Sequence, residues 1–323
     1  MSEKAHWREE LLASGLPLES DAARLLVSKG FRVVSDFKFT RAESGVVRDC
    51  FVQLLAGTSL GPSDPDQPTG SLELVFECRH RSSGAAWLYL SDPNPREKSP
   101  ITPGHTVRVV DTFSSFAVDG DATVAFDRQL PACYKGVEID VERGSVADVE
   151  PSGGLAQLQY ALPRVVVEII SRNLTGPPGR NVPFLFCPVL LTTARLLVAD
   201  EGLSVERVKR ASELLELAHE VPYLTVYSDY GPDFQSHCQR EFGALEALER
   251  GDDTLIVERR RAAHYRSDTE LPIAVIESLM AADRHWLHRL FTQFVVCSEP
   301  QLPALLDAIQ QVAASAIQSR KEV

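Results

Sequence analysis

The chain has 323 residues, of which 44% are hydrophobic and 24% are charged, and its formal net charge is −12. This length and hydrophobic fraction exclude a disordered chain and allow one elaborated domain or two. The acidic balance argues against adhesion of the whole surface to nucleic acid or anionic membrane, although a local basic groove is compatible with it.

The six cysteines are scattered and form no CxxC pair, so the sequence predicts reduced, mostly buried thiols and no cysteine zinc site. The first residues lack the apolar centre of a signal peptide. No run approaches the ~18 apolar residues that a membrane-spanning helix needs. We therefore expect a cytoplasmic protein without a membrane segment.

The first part of the chain predicts one helix followed by three strands. A helix begins near Pro17 and ends at Lys29 and Gly30, with apolar residues at helical spacing. Strands are predicted over 31–40 and 47–56, joined by a hairpin loop at 41–45. The segment 57–70 is rich in Gly, Ser, Pro and Asp and predicts a loop before the third strand.

The third strand, over 72–81, alternates in a way that separates two rows of side chains. Leu74, Phe76 and Cys78 share one face, whereas Glu77 and Arg79 share the other. Charges cost free energy to bury unless they are paired or bind a metal. The pattern is therefore compatible with a metal-dependent active site, or with an edge strand whose charged row is solvated.

The rest of the chain predicts a mixture of strands and helices. Alternation suggests strands within 105–145, at Val107 and Val109, at Val124 and Phe126, and at Val137 and Ile139. A helix is predicted over 155–170, with Pro163 as a kink or a break, and 184–199 predicts two buried strands or one bent strand. In the last third, helices are predicted over 204–219, 234–250, 272–290 and from Ser298 to about Arg320, and strands over 223–227, 254–257 and 291–297.

Three acids occupy comparable places in the first part of the chain: Glu19 at the start of the helix, Asp49 in the second strand and Glu77 in the third. Asp49 shares a strand face with Phe51 and Gln53, and pairing of the two strands could bring it beside Glu77. Two carboxylates that close repel each other unless a cation lies between them. Mg²⁺ suits such a site because it prefers oxygen ligands.

These elements resemble the nuclease core of the PD-(D/E)XK (restriction endonuclease-like) superfamily, in particular the Mrr-like nucleases. The resemblance is carried by Gly30-Phe31, by Arg48-Asp49 and by Val75-Phe76-Glu77-Cys78, and more weakly by Cys187 to Leu196. It implies Mg²⁺- or Mn²⁺-dependent hydrolysis of DNA phosphodiesters, with prokaryotic defence as one setting. By this resemblance Asp49 and Glu77 hold the metal, Glu19 assists in positioning the metal or a water, and Arg79 stabilises charge on the phosphate.

Two departures from the family pattern leave a second reading open. Arg79 stands where the family has a lysine, and arginine neither acts as a compact charge nor accepts a proton. If Arg48-Asp49 aligns with the family's Arg-Glu, Phe51 occupies the position of the metal-binding aspartate. The alternative is therefore a catalytically degenerate nuclease-fold scaffold that binds a protein partner or nucleic acid.

The predicted fold class is α/β, with a mixed central sheet flanked by helices. We expect a restriction endonuclease-like core over 1–200 with an insertion at about 85–150, and a mainly helical C-terminal part over 201–323 that packs on the core. The expected partner is nucleic acid, with DNA favoured over RNA. A protein partner or a homo-oligomer is the alternative, and we expect no membrane association. The basic runs at 207–210 and 259–266 are either phosphate contacts or solvated surface.

Overall fold

The structure is a computed structural model that describes residues 3–61, 70–110, 116–118, 120–147, 149–175, 183–250, 278–319 and 321–322. In these ranges the helices are α1 Glu3–Ala13, α2 Leu16–Ser28, α3 Asp121–Asp127, α4 Val149–Thr175, α5 Val205–Arg210, α6 Pro232–Arg250, α7 Arg284–Phe291 and α8 Leu302–Gln318. The strands are β1 Arg32–Glu43, β2 Val46–Leu60, β3 Gly70–Arg79, β4 Ala85–Ser91, β5 Arg108–Val110, β6 Phe116–Ala117, β7 Ala132–Asp140, β8 Ser145–Ala147, β9 Phe184–Thr192, β10 Arg195–Ala199, β11 Ala218–Glu220, β12 Tyr223–Tyr227, β13 Gln293–Ser298 and β14 Lys321–Glu322.

A mixed sheet of 12 strands organises the described part of the chain, so the predicted α/β class is confirmed at that level. Its strand order is β1-β2-β3-β9-β13-β12-β7-β4-β10-β11, with β5 beside β9 and β8 beside β7. The first three strands form an antiparallel meander, and β9 adds to β3 in parallel. A parallel pair needs a crossover connection, and α4 is the helix that precedes β9.

The sheet is covered on both faces. Side chains of α4, α6 and α7 pack in one apolar cluster on one face. Those of α2, α3 and α8 pack in a second cluster on the other. Every residue of β9 is buried, in agreement with its nearly continuous apolar sequence. The buried strands predicted over 184–199 are therefore confirmed as β9 and β10.

The β1–β2 hairpin is longer and its turn is tighter than predicted. Ser44 and Gly45 have φ values of 51° and 75°, and the strands pair up to Glu43 and Val46 on either side. Two successive residues with positive φ fit a tight hairpin turn whose twist matches the flanking strands. The predicted loop at 41–45 is therefore reduced to two residues, and β2 begins at Val46.

Some predicted elements differ from the structure. Val124 and Phe126 lie in helix α3, because Thr123, Phe126 and Asp127 face the core at helical spacing. Over 204–219 only α5 and a short 3₁₀ turn at Leu214–Glu216 are helical, and β11 follows. The strand predicted over 254–257 and most of the helix predicted over 272–290 lie outside the described residues.

The C-terminal third contributes strands as well as helices to the same sheet. β13 lies between β9 and β12, so strands from 1–200 and from 201–323 are interleaved. The division into a core and a helical C-terminal part is therefore not a boundary within the sheet. No helix in the described ranges has the length and apolar character needed to cross a bilayer.

Candidate functional site

The candidate site lies at the end of β3, which is a central strand. β3 pairs with β2 on one side and with β9 on the other. Glu77 is only 4% exposed, and Leu74, Phe76 and Cys78 are buried in the cluster that contains α2 and α8. The two predicted rows of side chains are therefore present, but the solvated edge strand considered above is wrong for β3.

Gln53 of β2 stands opposite Glu77. Leu54 pairs with Phe76, so one further step of the same antiparallel register places Gln53 across from Glu77. The side chain of Gln53 accepts a hydrogen bond through Oε1 from the backbone N–H of Cys78. On the other side of β2, the register with β1 places Asp36 opposite Gln53, between the pairs Ser35–Leu54 and Phe37–Val52.

Helix α2 approaches this row of three strands closely at its start. Gly15, which precedes α2, has a φ of 77°, and a Cβ on it would lie 3.6 Å from Gln53 Nε2 and 3.8 Å from the carbonyl oxygen of Cys78. A glycine adopts this left-handed conformation without strain. The turn brings the first residues of α2, including Glu19, toward the end of β3.

Glu77 and Arg79 form an ion pair. Arg79 Nη2 lies 2.9 Å from Glu77 Oε1, and the two side chains are 32% and 5% exposed, respectively. The second carboxylate oxygen of Glu77, Oε2, and Arg79 Nε are both buried and have no hydrogen-bond partner among the residues that the structure describes. The pair is therefore joined through one oxygen, and each partner retains unused hydrogen-bonding capacity.

Burial raises the pKa of Glu77 to about 7. Arg79 and the backbone N–H of Gln53 lower this pKa, whereas the negative charge of Glu19 raises it. The pKa of Glu19 is itself raised, first by burial and then by Asp36. Desolvation thus outweighs the ion pair at Glu77, and the carboxyl titrates close to neutral pH.

Asp49 does not lie beside Glu77. It pairs across β1 with Thr40, and its carboxylate lies 2.8 Å from Lys38 Nζ, with both side chains about three-fifths exposed. Asp49 precedes Gln53 by four residues on β2, which is about 13 Å at the ~3.3 Å rise of a strand. The predicted convergence of Asp49 and Glu77 is therefore wrong, and Phe51 is not opposite Glu77 either.

Helix α4 closes the site from the face of Glu77. A Cβ on Gly154 would lie 2.6 Å from Leu190 Cδ1 and 3.6 Å from Arg79 Nε. The absence of a side chain at this position allows the helix to contact β9 and leaves space for the guanidinium. Near the other end of α4, Arg172 pairs with the buried Glu73 at 3.3 Å, so both acids of this row on β3 lie under α4.

Thr192 and Thr193 connect the ends of β9 and β3. Thr192 Oγ1 donates to the carbonyl oxygen of Arg79 at 2.9 Å, and Thr193 Oγ1 accepts from the backbone N–H of Arg81 at 2.7 Å. These bonds satisfy backbone groups where the strands separate. They hold the backbone of Arg79 in place and assign the threonines a structural role.

Sequence reasoning identified Glu19, Glu77 and Arg79 but missed Gln53 and Asp36. Gln53 was recognised only as a face neighbour of Asp49, and a glutamine carries no charge that would single it out. The basic run at 207–210 pairs with nearby acids, Arg207 with Asp200 and both Lys209 and Arg210 with Glu206, as solvated surface residues do. The run at 259–266 lies outside the described residues.

No protein-family model, curated protein or solved structure matches the chain. Within the described ranges, no group of three or more His, Cys, Asp or Glu residues is arranged to hold a metal ion. The chemistry of the site is therefore argued from its own residues.

Proposed function

We propose that this chain is a restriction endonuclease-like protein with a degenerate site, which binds a nucleic-acid phosphate without hydrolysing it. The order α2, β1, β2, β3 and then, after the inserted β4 to β8 and α3, α4 and β9, with β9 parallel to β3, supports the resemblance. The motif residues Glu19 and Glu77-Cys78-Arg79 lie in α2 and β3. The position of the later strand matches β9, which contains Cys187.

The ion pair between Arg79 and Glu77 is the observation that carries the proposal. A magnesium site is usually built from one or two carboxylates, waters and a substrate phosphate. Here the partner of Glu77 is a guanidinium, and the side chain opposite it is the neutral Gln53, already bonded to the backbone of Cys78. Asp49, the second expected ligand, pairs with Lys38 elsewhere on the hairpin. These residues do not fit the metal site that the resemblance implies.

Arg79 retains the means to bind a phosphate. About a third of its side chain is exposed, and Glu77 engages it only through Nη2. A guanidinium presents five donors in a planar fork, and its hydrogen bonds to phosphate oxygens are charge-assisted. A phosphate can therefore bind the free edge of Arg79 while Glu77 holds the other edge.

A second candidate is metal-dependent hydrolysis of DNA, with Glu77 and Glu19 as ligands. Glu77 Oε2 favours it, because a buried carboxylate oxygen without a hydrogen-bond partner is an open ligand position. The mutual repulsion of Glu19 and Glu77 also favours a cation near them.

The two candidates are separated by adding Mn²⁺ or Mg²⁺ to the purified protein. A metal site stabilises the folded state by RT ln(1 + [L]/Kd), so the second candidate requires a rise in Tm with metal that is absent in Glu77→Gln. Glu73→Gln is the matched control, because Glu73 is a buried acid of the same row on β3 but pairs with Arg172. The degenerate site predicts no metal-specific shift and no nicking of plasmid DNA.

Phosphate binding is tested by fluorescence anisotropy with a labelled oligonucleotide at low salt. Arg79→Met is expected to weaken binding about ten-fold, as loss of one charge-assisted contact does, whereas Arg172→Met leaves it unchanged. Plasmid nicking in Mn²⁺ that Glu77→Gln abolishes would overturn the proposal in favour of hydrolysis. Absence of oligonucleotide binding would remove the phosphate ligand and favour a protein partner.

A further inference from the structure

A second concave site lies away from the end of β3. A cavity of about 500 Å³ is enclosed by β7, the end of β12, the segment after β4 and the first turns of α4. Its size is within the range of pockets that bind small organic ligands. The residues discussed above for the end of β3 do not line it, so its role is independent of the proposed function.

A β-bulge brings two functional side chains to this cavity. Ser91 of β4 pairs with Cys133, but Leu90 pairs with Lys135, so Tyr134 is an extra residue on β7. Bulges of this kind redirect side chains and are frequent beside binding sites. Tyr134 and Lys135 both line the cavity and both are exposed.

Lys135 supplies a positive charge at the wall of the cavity. It forms no ion pair with the residues that the structure describes, whereas Glu138 and Asp140 of the same strand are paired with Arg81 and Arg143. The first turn of α4 lines the same cavity at Pro151 and Ser152, and the positive end of this 27-residue helix adds to the potential of the lysine. The carboxylates of Asp92 and Asp229 also line the cavity, and Asp92 already accepts hydrogen bonds from Asn94 and Ser99. Within this lining, Lys135 and the helix end are the positive part and the position that favours an anionic group of a ligand.

The opposite wall presents an aromatic ring with a fixed carboxylate. Tyr227 lines the cavity and packs against His288, with ring centroids 5.7 Å apart. Burial and the nearby carboxylate of Asp229 raise the pKa of Tyr227 to about 12, and this carboxylate accepts a hydrogen bond from the backbone N–H of Tyr230 at 2.8 Å. Asp229 is thus held in place as an acceptor for a donor group of a ligand.

We propose that this cavity binds the nucleotide unit of a 5′-nucleoside monophosphate. Lys135 contacts the phosphate, the rings of Tyr134 and Tyr227 contact the planar base, and Asp229 accepts a hydrogen bond from a hydroxyl or amino group of the ligand. Every base has a π-face, so stacking on tyrosine tolerates different bases. The unit is supplied either by a free mononucleotide or by the 5′-phosphorylated end of a strand.

The test is calorimetric titration of the full-length protein with AMP, GMP, CMP and UMP, alongside adenosine and inorganic phosphate. We expect at least one nucleotide to bind with a Kd below about 1 mM. Lys135→Met is expected to weaken binding about ten-fold and Tyr134→Ala by a similar factor, since one removes the charge and the other the ring. Lys209→Met is the matched control for the loss of a surface charge and is expected to bind as the wild type does. Tyr134→Phe, which keeps the ring, is expected to recover most of the affinity that Tyr134→Ala loses.

Three results would overturn this assignment. They are the absence of saturable binding by any nucleotide, nucleotide binding that Lys135→Met leaves unchanged, and binding of adenosine with an affinity equal to that of AMP. Competition by a 5′-phosphorylated oligonucleotide, but not by its 5′-hydroxyl form, assigns the site to a strand end. Failure of both oligonucleotides to compete assigns it to the free nucleotide. Because Arg79 is not involved, Arg79→Met is expected to leave nucleotide binding intact, whatever its effect at the end of β3.

Discussion

Glu77→Gln is expected to stabilise the protein relative to the wild type, and this gain in the free energy of unfolding is expected to be larger at pH 8 than at pH 5. The pKa of Glu77 rises from 4.5 to about 7 in the folded state, chiefly through burial. Between these two values the folded chain holds a proton that the unfolded chain has released. The wild type therefore loses stability as pH rises through this window, and at 1.36 kcal/mol per pH unit the total is about 3 kcal/mol.

Glutamine resembles the protonated carboxyl and keeps an oxygen for Arg79, so it does not titrate and avoids this loss. For a chain of this size, about 3 kcal/mol corresponds to a change in Tm of about 4 °C at ~2.1 cal/mol/K per residue. The measurement is urea denaturation of both proteins at several pH values from 4 to 8. The free energies of unfolding are subtracted at each pH, so that the other titrating groups cancel.

The expected difference curve is nearly flat below pH 5 and rises in favour of Glu77→Gln up to about pH 7. A difference that does not change between pH 5 and pH 8 would refute the claim that burial raises the pKa of Glu77 more than Arg79 lowers it. A curve of opposite sign would mean that the ion pair with Arg79 outweighs desolvation, since the pKa would then be lowered.

Three further outcomes are expected. Gly154→Ala should lower the free energy of unfolding by about 1–3 kcal/mol because its Cβ meets Leu190, whereas Gly153→Ala, which has no neighbouring atom within 4 Å, should raise it by roughly 0.5–1 kcal/mol in urea denaturation. Burial lowers the pKa of His237 to about 4, so the folded state excludes a proton that the unfolded chain binds below pH 6.5. Acidification from pH 6.5 to 4 should therefore lower the free energy of unfolding of the wild type by about 3 kcal/mol more than that of His237→Gln. Asp49→Ala should change stability by less than ~0.5 kcal/mol in the same assay and leave the titration of Glu77 unaltered, because its ion pair is solvated.

Local patterns in the sequence identified the elements that carry their own signals. Helix α2 has apolar residues at helical spacing and a Lys-Gly end, and β9 has an unbroken apolar run, so both were predictable without any partner. The two rows of β3 were predictable for the same reason. Its central position was not, because alternation reports which side chains share a face and not which strands lie on either side.

The residues opposite Glu77 depend on contacts between distant parts of the chain. The turn at Ser44 and Gly45 fixes the length of β2, and the pairing of β2 with β3 spans residues 62–69, which lie outside the described structure. A shift of four residues along β2 replaces Gln53 with Asp49 on the same face. Periodicity cannot distinguish these registers, because both satisfy the period of two.

The position of β13 has a consequence for synthesis of the chain. Its residues, Gln293–Ser298, lie between β9 and β12, so each of these two strands lacks a hydrogen-bonded neighbour on one side until β13 has been synthesised. During translation, or after truncation ahead of residue 293, both would present unpaired edges that invite association between chains. Completion of the sheet therefore waits until β13 has left the ribosome, and fragments that stop before it should accumulate as aggregates.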